Sequence, residues 1–288
     1  MVKLLIIADD LTGALDTGVQ LAEKGIHTEV ITDINYDFSE TGNNVEVLVI
    51  NTDTRHKSAN EAYHTVFEIC SKAFQYGIAH IYKKTDSALR GNIGSELAAL
   101  LDASKVKMLP FIPAFPKMNR ITINGIHYID GIPVHQSIFG QDPFEPVKSS
   151  NIPELIGMQS GIPVQVFKLN KITENLSVKI DKSFTMDKSV TMDKSVEMDK
   201  SNKLDKSIIT DMKKICVFDA TTEEEMQKIA DILVKSGNLT VMAGCAGFGS
   251  VLPGILNLNC NDITLPKLSN DYLIVCGSLN QITKDQIA

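Results

Sequence analysis

Leu4-Leu5-Ile6-Ile7-Ala8-Asp9-Asp10-Leu11-Thr12-Gly13-Ala14 runs from an unbroken apolar segment straight into two adjacent carboxylates. Consecutive large aliphatic side chains suit a strand covered on both faces, as in a parallel sheet flanked by helices. Ala14, Leu15, Val19, Leu21 and Ala22 follow at helical spacing, so the segment reads as strand, loop and helix of an open α/β sheet. Ligands of such sheets sit at the carboxyl ends of the strands, which is where Asp9 and Asp10 fall. Each also has a structural alternative, because aspartate is a favoured helix cap.

The pattern repeats outward from this unit. Strands are expected over 3–8, 27–32, 45–51, 79–84, 107–112 and 164–168, with helices over 14–24, 58–76 and 93–103. That alternation predicts parallel βαβ units. Residues 122–131 alternate apolar and polar side chains around Asn124-Gly125 and Asp130-Gly131, the signature of a small hairpin excursion. From Asp181 the units DKSFTM, DKSVTM, DKSVEM, DKSNKL and DKSIIT fill residues 181–210; charged and short of bulk, they read as a flexible linker. Beyond them a strand is expected over 214–219, a helix over 222–236, a strand over 239–243, a glycine-rich helix start at Gly244 and a strand over 272–276. The expected organisation is a parallel-sheet α/β domain over 1–170, a repeat-containing low-complexity linker over 171–212, and an incomplete second α/β domain over 213–288.

At 288 residues the chain is long for one domain, and 43% apolar with 22% charged residues is the composition of an ordinary soluble protein. No apolar stretch approaches the roughly 18 residues of a membrane span, and the amino terminus runs directly into a core strand, so a cytoplasmic protein is expected. The five cysteines are odd in number and scattered without a C-x-x-C pair, against both a disulfide framework and a zinc site, and no metal-ligating residues are assigned. A net charge of -7 disfavours nonspecific binding to nucleic acid or anionic membrane and points to a small-molecule partner, with homo-oligomer assembly left open. Only Arg55, Arg90 and Arg120 break the preference for lysine, each in a polar, loop-like segment where a planar fork suits carboxylate or phosphate.

Lys83-Lys84-Thr85-Asp86-Ser87-Ala88-Leu89-Arg90-Gly91-Asn92 lies between a strand end and a helix, on the same rim as Asp9 and Asp10. Its cations suit a carboxylate, Ser87 and Asn92 suit hydroxyls, and an aspartate there can orient or deprotonate one of them. Arg55 follows another strand end and can join them, whereas Lys83 reads as a solvated neighbour. Asp86 and Ser87 also have the alternative of helix entry.

Ala8–Ala14, Lys84-Thr85-Asp86-Ser87 with Arg90-Gly91-Asn92, and Pro113-Ala114-Phe115-Pro116 with Arg120 and Gly125 stand in the order and spacing of the four-carbon acid sugar kinase family, which this sequence resembles. The likeness extends to Asp142-Pro143, Pro146-Val147, Gly277-Ser278, Thr283 and Gln286. It implies ATP-dependent phosphorylation, with Mg²⁺, of the terminal hydroxyl of threonate, erythronate or 3-oxo-tetronate, the amino-terminal domain holding the acid sugar and the carboxy-terminal one the nucleotide. Carried over by position, Asp9, Asp10, Arg55, Lys84, Thr85, Asp86 and Ser87 are substrate-binding residues; Arg90 joins them on chemistry and position. Either Asp86 or Asp10 accepts the proton of the attacking hydroxyl. Gly277 and Ser278 correspond to nucleotide contacts, and Gly244 either approaches a phosphate through its backbone or allows close packing. Ala88 departs from the small hydroxyl residue common in the family. Family members continue well beyond the point where this sequence stops, so a truncated second domain is expected, with a non-catalytic sugar-acid-binding remnant or module as the alternative.

Overall fold

The computed structural model describes residues 2–143, 145–168, 212–260 and 281–287. Strand β1 (Leu4–Ala8) leads through helix α1 (Leu11–Ala22) to β2 (Thr28–Ile31), β3 (Val47–Asn51), α2 (Ala59–Tyr76), β4 (His80–Lys84), α3 (Ile93–Ala103) and β5 (Met108–Ile112). An excursion follows, β6 (Arg120–Ile123), β7 (Ile126–Ile129) and β8 (Ile132–Pro133), then α4 (Ile152–Gly157) and β9 (Val164–Phe167). The chain continues as β10 (Lys214–Phe218), α5 (Glu223–Ser236), β11 (Val241–Gly244), the short helices α6 (Ala246–Gly249) and α7 (Leu252–Ile255), and α8 (Gln281–Ile287).

Among the described residues one 8-stranded sheet runs in the order β2-β3-β1-β4-β11-β5-β10-β9, with every pair parallel. This corrects the division of the chain at 213. Strand β10 pairs with β5 and β9, and β11 is inserted between β4 and β5, so both strands that follow the repeat are interior members of the first sheet. Their side chains are buried nearly throughout, and a strand of this kind needs hydrogen-bonded neighbours on both edges, which the existing sheet supplies. The repeat and the strand expected over 272–276 lie outside the described residues.

Period-two alternation sends Leu5, Ile7, Leu48, Ile50, Ile81, Leu109, Phe111, Ile215 and Val217 to one face of the sheet, where α2, α3 and α4 cover them. Leu4, Ile6, Ala8, Val47, Val49, Tyr82, Ile112, Cys216, Phe218 and Met242 line the other, under α1, α5 and α6. Helix α1 begins three residues before its expected start because the Asp10 side chain accepts the Gly13 backbone N–H at 2.9 Å and caps it. Ser58 and Thr222 cap α2 and α5 as the reciprocal Ser/Thr-x-x-Glu box, with Glu61 and Glu225 reaching back.

The excursion forms as expected, with β6, β7 and β8 antiparallel. Its first turn places Asn124 and Gly125 at φ of 53° and 74°, the pair of left-handed residues that a tight hairpin needs. Asp219, just past β10, accepts the N–H groups of Asn124 and Gly125 at 2.7 and 2.9 Å, which fixes the hairpin to the sheet.

Candidate functional site

Strands β1 and β4 are neighbours, yet the chain leaves β1 toward the α1 face and β4 toward the α3 face. The loops after them therefore diverge at the carboxyl ends of the strands, the place where open α/β sheets bind ligands. Asp9 and Asp10 follow β1, Thr52 to Arg55 follow β3, and Thr85 to Arg90 follow β4.

Arg55 stands at the centre of the site. Its Nε donates to Asp9 Oδ2 at 2.8 Å, its terminal nitrogens meet the Asp10 carboxylate at 2.8 and 2.9 Å, and Asp86 Oδ1 lies 3.5 Å away. Burial works against the guanidinium charge, but the carboxylates of Asp9, Asp86 and Asp10 outweigh it and hold Arg55 cationic. The loop carrying Arg55 is tied to β1 by backbone bonds, the N–H groups of Thr54 and Arg55 both donating to Asp9 O.

Asp86 is gripped by Arg90, whose Nε and Nη2 donate to its two oxygens at 2.8 and 3.1 Å while the Arg90 backbone N–H adds a third bond at 3.1 Å. Burial pushes the Asp86 carboxyl up, but the hydrogen bonds of Arg90 and the charges of Arg55 and Arg90 hold it well below the usual carboxylate range. Asp86 is not a helix cap; α3 begins only at Ile93, after Asn92. Arg90 also reaches Asp142 at 3.5 Å and lies over the Phe139 ring, 5.2 Å from its centroid. Arg120 opens β6 rather than lying in a loop, donates from Nη1 to Ser87 Oγ, and faces the same Phe139 ring at 5.4 Å.

His127 is buried beneath Ser87, with Nε2 3.0 Å from Ser87 O and Nδ1 3.2 Å from Thr122 Oγ1. Neutral imidazole with the proton on Nε2 satisfies both contacts. Burial lowers its pKa to about 4. The unfolded chain therefore takes up a proton on this residue near pH 6.5, before the folded chain does, so stability falls as the pH drops from about 6.5 to 4, by about 3 kcal/mol. A His127→Gln variant is expected to flatten that slope in denaturant titrations at stepped pH; an unchanged slope contradicts it.

The two lysines ending β4 point to opposite faces, as alternation along a strand requires. Lys84 turns toward α1, where its Nζ donates to Thr85 O at 2.9 Å and abuts Gly13. A Cβ at Gly13 would lie 2.6 Å from Asp10 Oδ1 and 2.7 Å from Lys84 Nζ, so the missing side chain is what lets the carboxylate and the ammonium share the start of α1.

Lys83, expected in solvent, is instead fully buried against α3, with Nζ 3.0 Å from Glu96 Oε2 and bonded to Ile7 O and Lys84 O. The other Glu96 oxygen accepts from Thr54 Oγ1, and Thr52 Oγ1, 2.7 Å from Thr54 Oγ1, donates to Ala8 O. One buried network thus ties the ends of β1, β3 and β4 together. Burial pushes the Glu96 carboxyl up and Lys83 pulls it partly back.

The structure brings together Asp9, Asp10, Arg55, Asp86, Ser87 and Arg90, with Lys84 and Thr85 alongside; Thr85 Oγ1 and Asp9 Oδ1 are buried without a hydrogen-bond partner. Two further expectations do not hold. Asn92 is not a ligand group, because its side-chain amide donates to Thr54 O and Lys57 O inside the protein. Gly244 ends strand β11 instead of starting a helix, and a Cβ there would lie 2.3 Å from Ile112 O and 2.6 Å from the Tyr82 hydroxyl, so close packing accounts for it. Gly277 and Ser278 lie outside the described residues. The sequence reading does not point to Phe139, His127 or Glu96, and takes Lys83 as solvated; the polar Glu96 within the apolar run of α3 is the available signal.

A family model described as "Sugar-binding N-terminal domain" matches residues 4–252. The chain is 32% identical over 287 residues to a D-threonate kinase of Salmonella typhimurium, covering 99% of this chain and 60% of that protein. It is 31% identical over 292 residues to a D-erythronate kinase of Heliobacterium modesticaldum, with 100% and 60% covered. The chain thus spans 60% of the length of each of these relatives. A Bordetella bronchiseptica protein described as a domain of unknown function, solved with bound citrate as a domain-swapped dimer, is similar at 25% identity and a TM-score of 0.67, over 88% of this chain and 56% of that one. Among the described residues no helix is long and apolar enough to cross a membrane.

Proposed function

This chain belongs to the four-carbon acid sugar kinase family through its sugar-binding N-terminal domain, and from that premise we propose that this site binds a four-carbon sugar acid and presents the terminal hydroxyl for phosphorylation by ATP. The observation that carries the reading is the convergence of Arg55, Arg90 and Lys84 with Asp9, Asp10 and Asp86 at the carboxyl ends of β1, β3 and β4. Charges of both signs at fixed positions suit a ligand that is an anion at one end and a string of hydroxyls at the other. Phosphoryl transfer asks a protein mainly for positioning and charge stabilisation.

Of the two candidate bases, this reading takes Asp10 rather than Asp86 as the proton acceptor, on exposure. Both carboxylates are held by an arginine, Asp10 by Arg55 and Asp86 by Arg90, but the Asp10 side chain is 22% exposed at the start of α1, beside Lys84, and that of Asp86 only 8%. Asp86 then serves to hold Arg55 and Arg90 in place. ATP and Mg²⁺ enter this reading through the family.

Gly13→Ala separates site from scaffold. Alanine is favoured over glycine in a helix by about 1 kcal/mol, and the atoms it displaces are the ends of flexible side chains, so stability is expected to change by less than about 1 kcal/mol. Moving Asp10 and Lys84 is expected to weaken binding of the acid at least about tenfold, roughly the loss of one charged hydrogen bond. Equal affinity in the variant contradicts a role for this corner.

The function itself is tested by incubating the chain with ATP, Mg²⁺ and each of D-threonate, D-erythronate and 3-oxo-tetronate, following ADP and the phosphorylated product. ADP formation that depends on one of the acids is expected. ADP formation indifferent to all of them, or none, contradicts kinase activity in this chain and leaves the site as a sugar-acid-binding module.

A further inference from the structure

The three arginines of the site differ in what they hold. Arg55 and Arg90 are each bound to carboxylates of the chain, whereas Arg120 is in no ion pair among the described residues. Its Nη1 is turned to Ser87 Oγ, and its Nε is buried without a hydrogen-bond partner. The Nε and Nη2 edge therefore remains, and that edge is the pair of parallel N–H groups that takes a carboxylate bidentately.

The surroundings hold this guanidinium in place. Arg120 and Phe115 exchange two backbone hydrogen bonds, Asp219 fixes the turn of the hairpin, and Phe139 lies against Arg120 and Arg90 together. Ser87 is fixed in turn by its carbonyl contact with His127. A charge that the protein has positioned but not paired with a carboxylate, sharing the Phe139 ring with Arg90, is suited to a small carboxylate ligand.

Resting on the sugar-acid reading above, we propose that Arg120 receives the carboxylate of the substrate and so sets its direction: acid group at the hairpin, reacting hydroxyl at Asp10 and Lys84. Selection for an acid over a neutral polyol then resides in the excursion, not in the arginines that hold the aspartates.

The test titrates the full chain, Arg120→Gln and Arg120→Lys with the acid that the unaltered chain binds best and with the neutral amide of the same carbon skeleton. The unaltered chain is expected to prefer the acid by about thirtyfold. Arg120→Gln is expected to lose that preference through weaker acid binding with amide binding little changed, and Arg120→Lys to recover part of it. An Arg120→Gln chain that keeps the preference, or that loses both ligands alike as a merely structural defect would, overturns the proposal. If the unaltered chain binds no acid, the sugar-acid reading itself fails and this proposal with it; if it binds acid and Arg120→Gln does so with equal preference, only the assignment of Arg120 fails.

Discussion

A Lys83→Met variant is expected to unfold with about 3–5 kcal/mol less free energy than the unaltered chain, the cost of leaving a buried charge without its partner. Lys83 is inaccessible, and its ammonium is shared between Glu96, Ile7 O and Lys84 O. Methionine is of similar volume and flexible, so the loss arises from the Glu96 carboxylate and the stranded carbonyls rather than from a cavity. Adding Glu96→Leu to Lys83→Met is expected to recover most of the stability, because an apolar pair in a buried site costs less than half an ion pair. Denaturant titration of the two single variants and the double variant measures this coupling. A single variant that loses less than about 1 kcal/mol would mean that water reaches the pair and that the network does not tie the strand ends.

Arg55→Met is expected to affect stability and binding together. Asp9 is almost wholly buried and keeps one oxygen without a hydrogen bond even with Arg55 in place, so removing the guanidinium strands its charge. The expected loss is again about 3–5 kcal/mol, with loss of sugar-acid binding. Arg55→Lys is expected to restore charge but not the fork that meets Asp9, Asp10 and Asp86 at once, and so to bind at least about tenfold more weakly than the unaltered chain. Full affinity in the lysine variant would show that charge alone is what the site takes from this position.

The edges of the strands and the principal helices were legible because their causes are local. The run Leu4–Ala8 is buried on both faces, Ser58 and Thr222 stand with a glutamate three residues on, and Asn124-Gly125 has few conformations other than a tight turn. The rim bearing Asp9, Asp10, Arg55 and Asp86 followed from the rule that loops leave a parallel sheet at its carboxyl ends. Sheet membership of β10 and β11 did not follow, because the repeat suggested a boundary, while strand pairing is decided by which edge is open at a distance in sequence. Lys83 was misread for a related reason. A lysine at the end of a strand is ordinarily solvated, and only the position of Glu96 on a helix crossing the same face gives it a buried partner. The sequence places Asp10 and Asp86 equally well as bases, and each is held by an arginine; only the greater exposure of Asp10 separates them.

The most direct test of the account is calorimetric titration of the 288-residue chain with D-threonate, D-erythronate and L-threonate, with Arg90→Ala alongside. Saturable binding of at least one of these acids, lost in the variant, is the predicted result. No binding of any of them, or binding that survives Arg90→Ala undiminished, would contradict a sugar-acid site at the ends of β1, β3 and β4.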